Sequence, residues 1–303
     1  MASAAAAHDA AVAGSRRPPP GPPPRIKALP KEVVDRIAAG EVVQRPASLA
    51  KELVENSLDA DSTSVDVQCT GGGLTLLSVT DDGIGIPPGD LKLAATRFAT
   101  SKLVQFDDLR SIRTFGFRGE ALASASMVGR LSITSRRRKS KQRRAGGGGD
   151  DDGSKGYSSA CAYKQQYRDG EPVTPKPKPA AGKEGTIIKV EDLFHTIPSR
   201  RRAFAGARKE ADEYARVLGV AQRYAIANAG RGVGFVCRKR GGNADLNSGS
   251  VGTVKKVAER RKRGRTAAAG AGAEAAAVPS ESQTVDATRD VIAHVFGSAV
   301  SRE

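Results

Sequence analysis

A carboxylate and a carboxamide stand one helical turn apart in the segment 51–60, which reads KELVENSLDA. Glu52 and Asn56 are four residues apart, so a helix would place them on one face, with Asp59 near the same face. A carboxylate can accept a proton from water, and an amide oxygen is a hard ligand that Mg²⁺ accepts. Because solvated helix faces often carry the same residue types, this spacing alone does not assign a site.

A second polar group forms the sequence DDGIG from Asp81 to Gly85. It follows an apolar segment, and Gly83 and Gly85 would allow the backbone to approach a ligand closely. The Asp81 carboxylate could accept a hydrogen bond from an amino group such as that of adenine. An ordinary hairpin turn has a similar composition, so the motif is weak in isolation.

Basic and glycine-rich residues border a long segment between residues 100 and 119. The segment begins with TSK, which ends at Lys102, and closes with GFRGEA at residues 116–121. Glycine-rich loops that lead into helices bind phosphate through backbone N–H groups and the helix N-terminus. A lysine within reach adds a positive charge. The spacing of the glycines proves little by itself.

The apolar pattern predicts the elements that would carry these groups. Leu49, Leu53, Val54 and Leu58 form an apolar stripe in a helix over 46–59, with the polar group facing elsewhere. Further helices are predicted over 31–39, over 90–98 and from 120, and strands over 65–67, 74–79, 131–135, 157–167 and 186–190. This order predicts an α+β, two-layer sandwich in which 100–119 is a loop or lid.

Composition divides the chain into packed and unpacked stretches. Residues 1–24 are predicted to be a disordered tail, and residues 25–207 the main domain with a basic low-complexity insertion at 136–156. A helix over 210–228, a strand over 233–236 and a last helix over 285–296 predict the start of an incomplete second α/β domain, residues 208–303. Residues 241–283, basic and then Ala-rich, are predicted to be a second insertion.

The net charge of +16 suggests a polyanionic partner. Thirteen of those charges fall in two runs, Arg136–Arg144 and Lys255–Arg265, so the folded part is closer to neutral. Each run could contact nucleic acid or an import receptor, or could be a solvated insertion. The three cysteines are widely spaced, which gives no disulfide or zinc pattern and favours a reducing compartment.

The order of the motifs is more specific than any one of them. A helix with ExxxN, a strand ending in DxGxG and a lid with GxxG resemble the GHKL ATPase superfamily, which has a Bergerat-type sandwich fold. Four further segments resemble MutL-type DNA mismatch-repair proteins, namely RIAAGEVV at 36–43, ATSK at 99–102, GFRGEALAS at 116–124, and EDLF at 191–194 with PSRR at 198–201. The resemblance covers about 25–135, 157–240 and 284–303. Both its ends are most similar to the eukaryotic MutL homologue one branch, and the PMS-type branch is the alternative.

The resemblance implies a role for each matching residue in binding ATP and Mg²⁺. Glu52 would be the general base for the attacking water, Asn56 would hold Mg²⁺, and Asp81 would recognise the adenine amino group. Lys102 would close over the phosphates with a loop made of Gly116, Phe117, Arg118, Gly119 and Glu120. Hydrolysis would be slow, because lid closure orders a long segment.

The remaining matches concern the base. Gly83 and Gly85 would make room for adenine, with Thr186 near it. Asp82 stands where the family usually has Asn, and we expect this difference to have little effect.

The resemblance also implies partners and leaves the activity open. It implies a nuclear clamp switch that binds DNA weakly and without sequence preference, with a PMS-type paralogue as heterodimer partner and MutS-type mismatch-recognition proteins. The family's second domain supplies a lysine for the γ-phosphate from a segment beyond residue 303. The chain is therefore either a working ATP hydrolase or a nucleotide- and DNA-binding module with little hydrolysis. A type II topoisomerase ATPase subunit is disfavoured by GFRGEALAS.

Overall fold

The computed structural model describes residues 26–103, 105–110, 112, 114–138, 156–268 and 280–297. Within them, seven helices are formed: α1 Lys31–Val42, α2 Pro46–Asp59, α3 Ala121–Val128, α4 Pro198–Phe204, α5 Ala207–Ala227, α6 Gly252–Ala268 and α7 Glu281–Phe296. The strands are β1 Ser64–Thr70, β2 Leu76–Asp81, β3 Arg130–Arg136, β4 Ala162–Arg168, β5 Glu171–Pro172, β6 Lys178–Ala180, β7 Gly185–Glu191, β8 Gly234–Lys239 and β9 Ala244–Asn247.

One sheet contains all of these strands, in the order β5-β4-β3-β7-β2-β1-β8-β9 with β6 paired to β4. Its neighbouring strands are antiparallel except β1 and β8, which are parallel. Helices α1, α2, α3 and α5 contact one another and, together, this sheet, so they form a single helical layer. The predicted α+β, two-layer sandwich is confirmed.

Helix α2 has the bounds that its sequence predicts. Pro46 occupies the first turn, where a missing N–H costs nothing. Leu49, Leu53 and Val54 are completely buried against the sheet layer, which leaves the polar face of the helix for the site. The stripe that predicted this helix is therefore also what orients it.

The helix predicted over 90–98 is wrong. The structure has a single 3₁₀ turn at Asp90–Lys92, and Phe98 has a positive φ of 62°. Only Leu91 and Ala95 in this stretch are buried, whereas Leu93 and Phe98 are exposed. Two buried residues stabilise too little of a helix to offset its nucleation.

The second insertion predicted over 241–283 is also wrong in its first half. Strand β9 pairs with β8, and α6 follows it. Leu246 and Val254 are buried, so a few apolar residues anchor a segment that its composition marked as unpacked. Residues 269–279, the tail to residue 25 and most of the insertion at 136–156 lie outside the described residues.

The stretch from residue 208 also differs from the prediction. A helix over 210–228 and a strand near 233 are present as α5 and β8. Because β8 pairs with β1 in parallel, these residues extend the first sheet and do not begin a second one. No described helix is long and apolar enough to cross a membrane.

Candidate functional site

Glu52 and Asn56 lie on the polar face of α2, where the Lys51 ammonium lies between the carboxylates of Glu52 and Glu55. The Lys51 ammonium is 3.5 Å from Glu52 Oε1 and 2.8 Å from Glu55 Oε1. Glu55 is buried and also accepts a hydrogen bond from Tyr224 of α5. Lys51 is thus held mainly by Glu55, and Glu52, whose side chain is 35% exposed, keeps a water-accessible carboxylate.

Asn56 shares a cation with Asp59, one turn further along α2. The Lys102 ammonium donates to Asn56 Oδ1 at 3.0 Å and to Asp59 Oδ2 at 2.6 Å. The backbone N–H groups of Phe115 and Gly116 donate to the same Asp59 carboxylate at 3.0 and 3.1 Å. Both borders of the lid segment therefore meet at α2, where two hard oxygens converge on one positive charge.

Asp59 and Tyr224 are the members of this group to which the sequence assigned no role. Asp59 is nearly buried and accepts three hydrogen bonds from residues 43 to 57 positions away. Tyr224 places its ring edge on Phe115, with ring centroids 6.0 Å apart. Apart from the position of Asp59 on the polar face of α2, no local pattern signals these contacts, because both arise between elements far apart in sequence.

Asp81 ends β2 in a buried position, with a relative exposure of 8%. Burial raises the pKa of its carboxyl to about 6, although hydrogen bonds from Gly83 and Ser57 lower it. Those bonds are 2.9 Å from the Gly83 N–H to Oδ1 and 3.0 Å from the Ser57 hydroxyl to Oδ2. Thr186 is the register partner of Asp81 on β7, so the sheet brings these two predicted site residues together.

Gly83 and Gly85 are required by the chain itself. A Cβ on Gly83 would lie 2.7 Å from the Ala60 Cβ, and one on Gly85, where φ is +74°, would collide with the Arg136 carbonyl. The two glycines therefore let the turn after β2 pack against the end of α2 and the end of β3.

Asp82, beside Asp81, has its own set of contacts. Burial raises the pKa of Asp82, but hydrogen bonds from the Thr63 hydroxyl and from the backbone N–H groups of Thr63 and Ser64 outweigh it, so the pKa is lowered overall. The carboxylate thus ties the β2 turn to the start of β1. An Asn at position 82 would have one side-chain oxygen to accept these hydrogen bonds, whereas the Asp82 carboxylate has two.

The rest of the predicted loop lies beside the 97–103 segment. The Arg118 guanidinium stacks 5.5 Å from the centroid of the Phe117 ring, and Glu120 is 3.6 Å from the Arg97 guanidinium. The Phe98 N–H donates to the Gly119 carbonyl at 3.2 Å. Gly116 therefore joins the group at Asn56, whereas residues 117–120 form a second group with the other border of the lid.

Comparisons with known proteins identify the family that this chain resembles. The family model of the "Histidine kinase-, DNA gyrase B-, and HSP90-like ATPase" matches residues 45–145. DNA mismatch repair protein MLH1 of Saccharomyces cerevisiae is 44% identical over 72% of this chain and 25% of its own length. DNA mismatch repair protein MutL of Pseudomonas aeruginosa is 44% identical over 67% of this chain and 29% of its own length. A solved N-terminal domain of a DNA repair protein has a TM-score of 0.56 at 24% identity, over 89% of this chain and 63% of that one.

The fold, the ExxxN helix and the family model define a GHKL-type ATP-binding domain. Within that class, the sequence matches show that the chain belongs to the MutL family. The matched region spans between a quarter and a third of the length of these relatives.

Proposed function

We propose that this chain is a Mg²⁺-ATP-dependent switch of DNA mismatch repair that binds ATP and hydrolyses it slowly. The observation that carries the proposal is the cluster at α2. Asn56 and Asp59 direct oxygens at a single cation, one turn from the accessible carboxylate of Glu52. The buried carboxylate of Asp81 lies at the end of the adjoining strand, β2. These two positions divide the site into an adenine end at Asp81 and a phosphate end at the cluster on α2.

At the adenine end, Asp81 accepts from the amino group of the base. Its carboxylate is already fixed by the Ser57 hydroxyl and the Gly83 N–H, so little ordering is needed on binding. Thr186, held by the Ser135 hydroxyl at 3.0 Å, lies beside it. The lack of a side chain at Gly83 and Gly85 lets the turn after β2 pack against Ala60 and Arg136, and in this proposal the adenine ring lies against that turn.

At the phosphate end, the oxygens of the cluster suit Mg²⁺. Asn56 Oδ1 is a hard donor, and the present cation there is the Lys102 ammonium at 3.0 Å. Mg²⁺ commonly binds one or two protein oxygens together with substrate phosphates, and when bound it neutralises phosphate charge. With Mg²⁺ at Asn56, the Lys102 ammonium would be available to pair with the phosphates, and the loop from Gly116 to Glu120 would supply backbone N–H groups beside it.

Glu52 is the general base in this proposal. Its carboxylate orients the attacking water and accepts its proton, and catalysis is otherwise positioning and electrostatic stabilisation. The second candidate is a binding module with little hydrolysis, and it is favoured by the partial span of the match, which covers 25% of the length of the yeast relative. A hydrolysis assay on this chain beside one extended through the second domain distinguishes the two candidates.

ATP should bind this chain in a Mg²⁺-dependent way. We expect a non-hydrolysable ATP analogue to bind roughly tenfold or more weakly in EDTA, because a cation between Asn56 and the phosphates contributes at least about 1.4 kcal/mol. Calorimetric titration with and without Mg²⁺ measures this. Adenosine, which lacks phosphates, is the control and should bind equally in both conditions. Equal affinity of the analogue in EDTA would remove the metal role of Asn56.

We also propose that the chain acts in the nucleus with a PMS-type paralogue and MutS-type proteins, and that it contacts DNA through its basic runs. Residues 255–263 belong to α6, where Lys255 and Lys256 are exposed. Neither basic run contains an aromatic residue that could stack on bases, so its contacts are to phosphate.

The salt dependence of duplex DNA binding should fall when Lys255 and Lys256 are both replaced by Gln. Each lost phosphate contact lowers the log–log slope by roughly 0.9, so we expect a decrease of up to about 1.8 with no change in sequence preference. Lys164→Gln with Lys178→Gln is a matched control, because these exposed, paired residues of β4 and β6 remove the same charge elsewhere. Equal decreases in both variants would indicate a net-charge effect, and an unchanged slope would exclude α6 from the DNA contact.

A further inference from the structure

Helix α6 reaches the adenine end of the site from a segment that lies outside the family resemblance. Its inner side carries the buried Val254 and, two turns later, Arg261, whose side chain is only 16% exposed. Arg261 forms an ion pair with Asp61, and its guanidinium also donates to the Arg231 carbonyl at 3.1 Å. The helix is therefore anchored at the connection between α2 and β1.

The connection between α2 and β1 and the turn after β2 together form the rim of the nucleotide pocket. Lys262, the next residue of α6, reaches the second of these segments. Lys262 Nζ lies 3.3 Å from Asp82 Oδ2, in the turn that follows β2. These two rim segments already touch, since the Ile84 N–H donates to the Ala60 carbonyl at 2.9 Å. Two consecutive cations thus pair with acidic residues next to Ala60 and next to Asp81.

We propose that α6 is a cationic brace for the nucleotide pocket, with Arg261 and Lys262 as positioning residues that hold the Asp61 and Asp82 sides of the rim together. The brace rests on the proposed function for its effect on ATP. The sequence motifs that carry the resemblance to MutL proteins lie outside α6, so they do not account for Arg261 or Lys262.

The charges around the turn after β2 predict what the loss of the brace would do. Asp81 and Asp82 are adjacent carboxylates, and only Asp82 has a basic side chain against it among the ion pairs of the described residues. Without Lys262, the turn would carry two carboxylates with hydrogen bonds but no ion-pair partner beside the position of the adenine ring, and their repulsion would loosen it. The Lys262–Asp82 pair is partly exposed, so its contribution is modest and screened by salt.

The test replaces Lys262 by Gln and compares it with Lys164→Gln, which removes the same charge from an exposed position of β4. Calorimetric titration with Mg²⁺ and a non-hydrolysable ATP analogue should show roughly two- to fivefold weaker binding for Lys262→Gln at low salt. Lys164→Gln should match the wild type, and the difference should disappear at about 1 M salt. Arg261→Lys, which keeps the charge but loses the second donor, should lie between the two.

A ligand-free measurement separates this proposal from the proposed function. The N–H groups of Thr63 and Ser64 donate to Asp82 at 2.6 and 2.8 Å, so hydrogen exchange at these two amides reports on the rim directly. Faster exchange in Lys262→Gln than in Lys164→Gln supports the brace, even if the wild type binds no nucleotide and the proposed function fails. Identical exchange and identical affinity in the two variants would overturn the brace.

Discussion

Replacement of Asp81 by Asn should weaken ATP binding while it stabilises the ligand-free protein. The carboxylate is 8% exposed and, in the proposed function, is the acceptor for the adenine amino group. A hydrogen bond to a charged acceptor contributes about 1.5–3 kcal/mol, so we expect affinity to fall roughly ten- to a hundredfold. An Asn has nearly the same shape and can still accept from the Gly83 N–H.

The stabilisation follows from the raised pKa of Asp81. Burial, the largest cause, brings this pKa to about 6 from 3.8, so the native protein binds the proton more tightly than the unfolded chain does. The stability from the neutral form is complete below pH 3.8 and is lost as the pH rises through about 6. An Asn stays neutral, so the variant should be more stable above that pH, by at most about 3 kcal/mol.

Two measurements test the predicted gain in stability and the predicted loss of ATP affinity. Thermal unfolding at about pH 8 and pH 4 should show a higher Tm for Asp81→Asn at the first pH only. Titration with the ATP analogue should show wild-type affinity falling relative to the variant as the pH drops through about 6. Asp169→Asn is the control, because this exposed residue has a φ of 51°, which Asn tolerates, and lies far along the sheet. Lower stability together with unchanged affinity would refute the assigned role.

The elements predicted best are those whose sequence signals are local. Helix α2 combines a first-turn proline with an apolar stripe of period 3.6, and both act within a few residues. The pairing of β8 with β1 joins residues about 170 positions apart, for example Val65 with Phe235. No local pattern encodes such a pairing, so a continuous sheet was mistaken for the start of a second domain.

The same contrast between local signals and long-range contacts applies to the candidate site. The order of the motifs along the chain predicted Glu52, Asn56 and Asp81 as candidates, because that order resembles the GHKL ATPases. The contacts around these residues join positions far apart in sequence, such as Lys102 with Asp59. A sequence motif does not predict which carboxylate or amide oxygen will bind the Lys102 ammonium. The anchoring of α6 was missed because its basic composition outweighed the few apolar residues that pack it.

Replacement of Glu52 by Ala should abolish most hydrolysis and leave binding largely intact. A positioned general base contributes about 10²–10⁴-fold to the rate, so kcat should fall at least about a hundredfold. The base acts in the transition state, and its loss is expected in kcat more than in ground-state affinity. The fold should tolerate the change, because Lys51 keeps its contact with Glu55 at 2.8 Å and is not left unpaired.

The comparison with Asp81→Asn makes this prediction specific. Single-turnover hydrolysis and analogue binding are measured for both variants on a chain that contains the second domain, with the exposed Glu171→Ala of β5 as control. Glu52→Ala should lose turnover at wild-type affinity, whereas Asp81→Asn should lose affinity first and recover turnover at saturating ATP. Glu52→Gln keeps the size of the side chain and should behave like the Ala variant, since only the proton acceptor is removed. If Glu52→Ala abolished binding as fully as Asp81→Asn, the carboxylate on α2 would belong to the binding site and another group would have to activate the water.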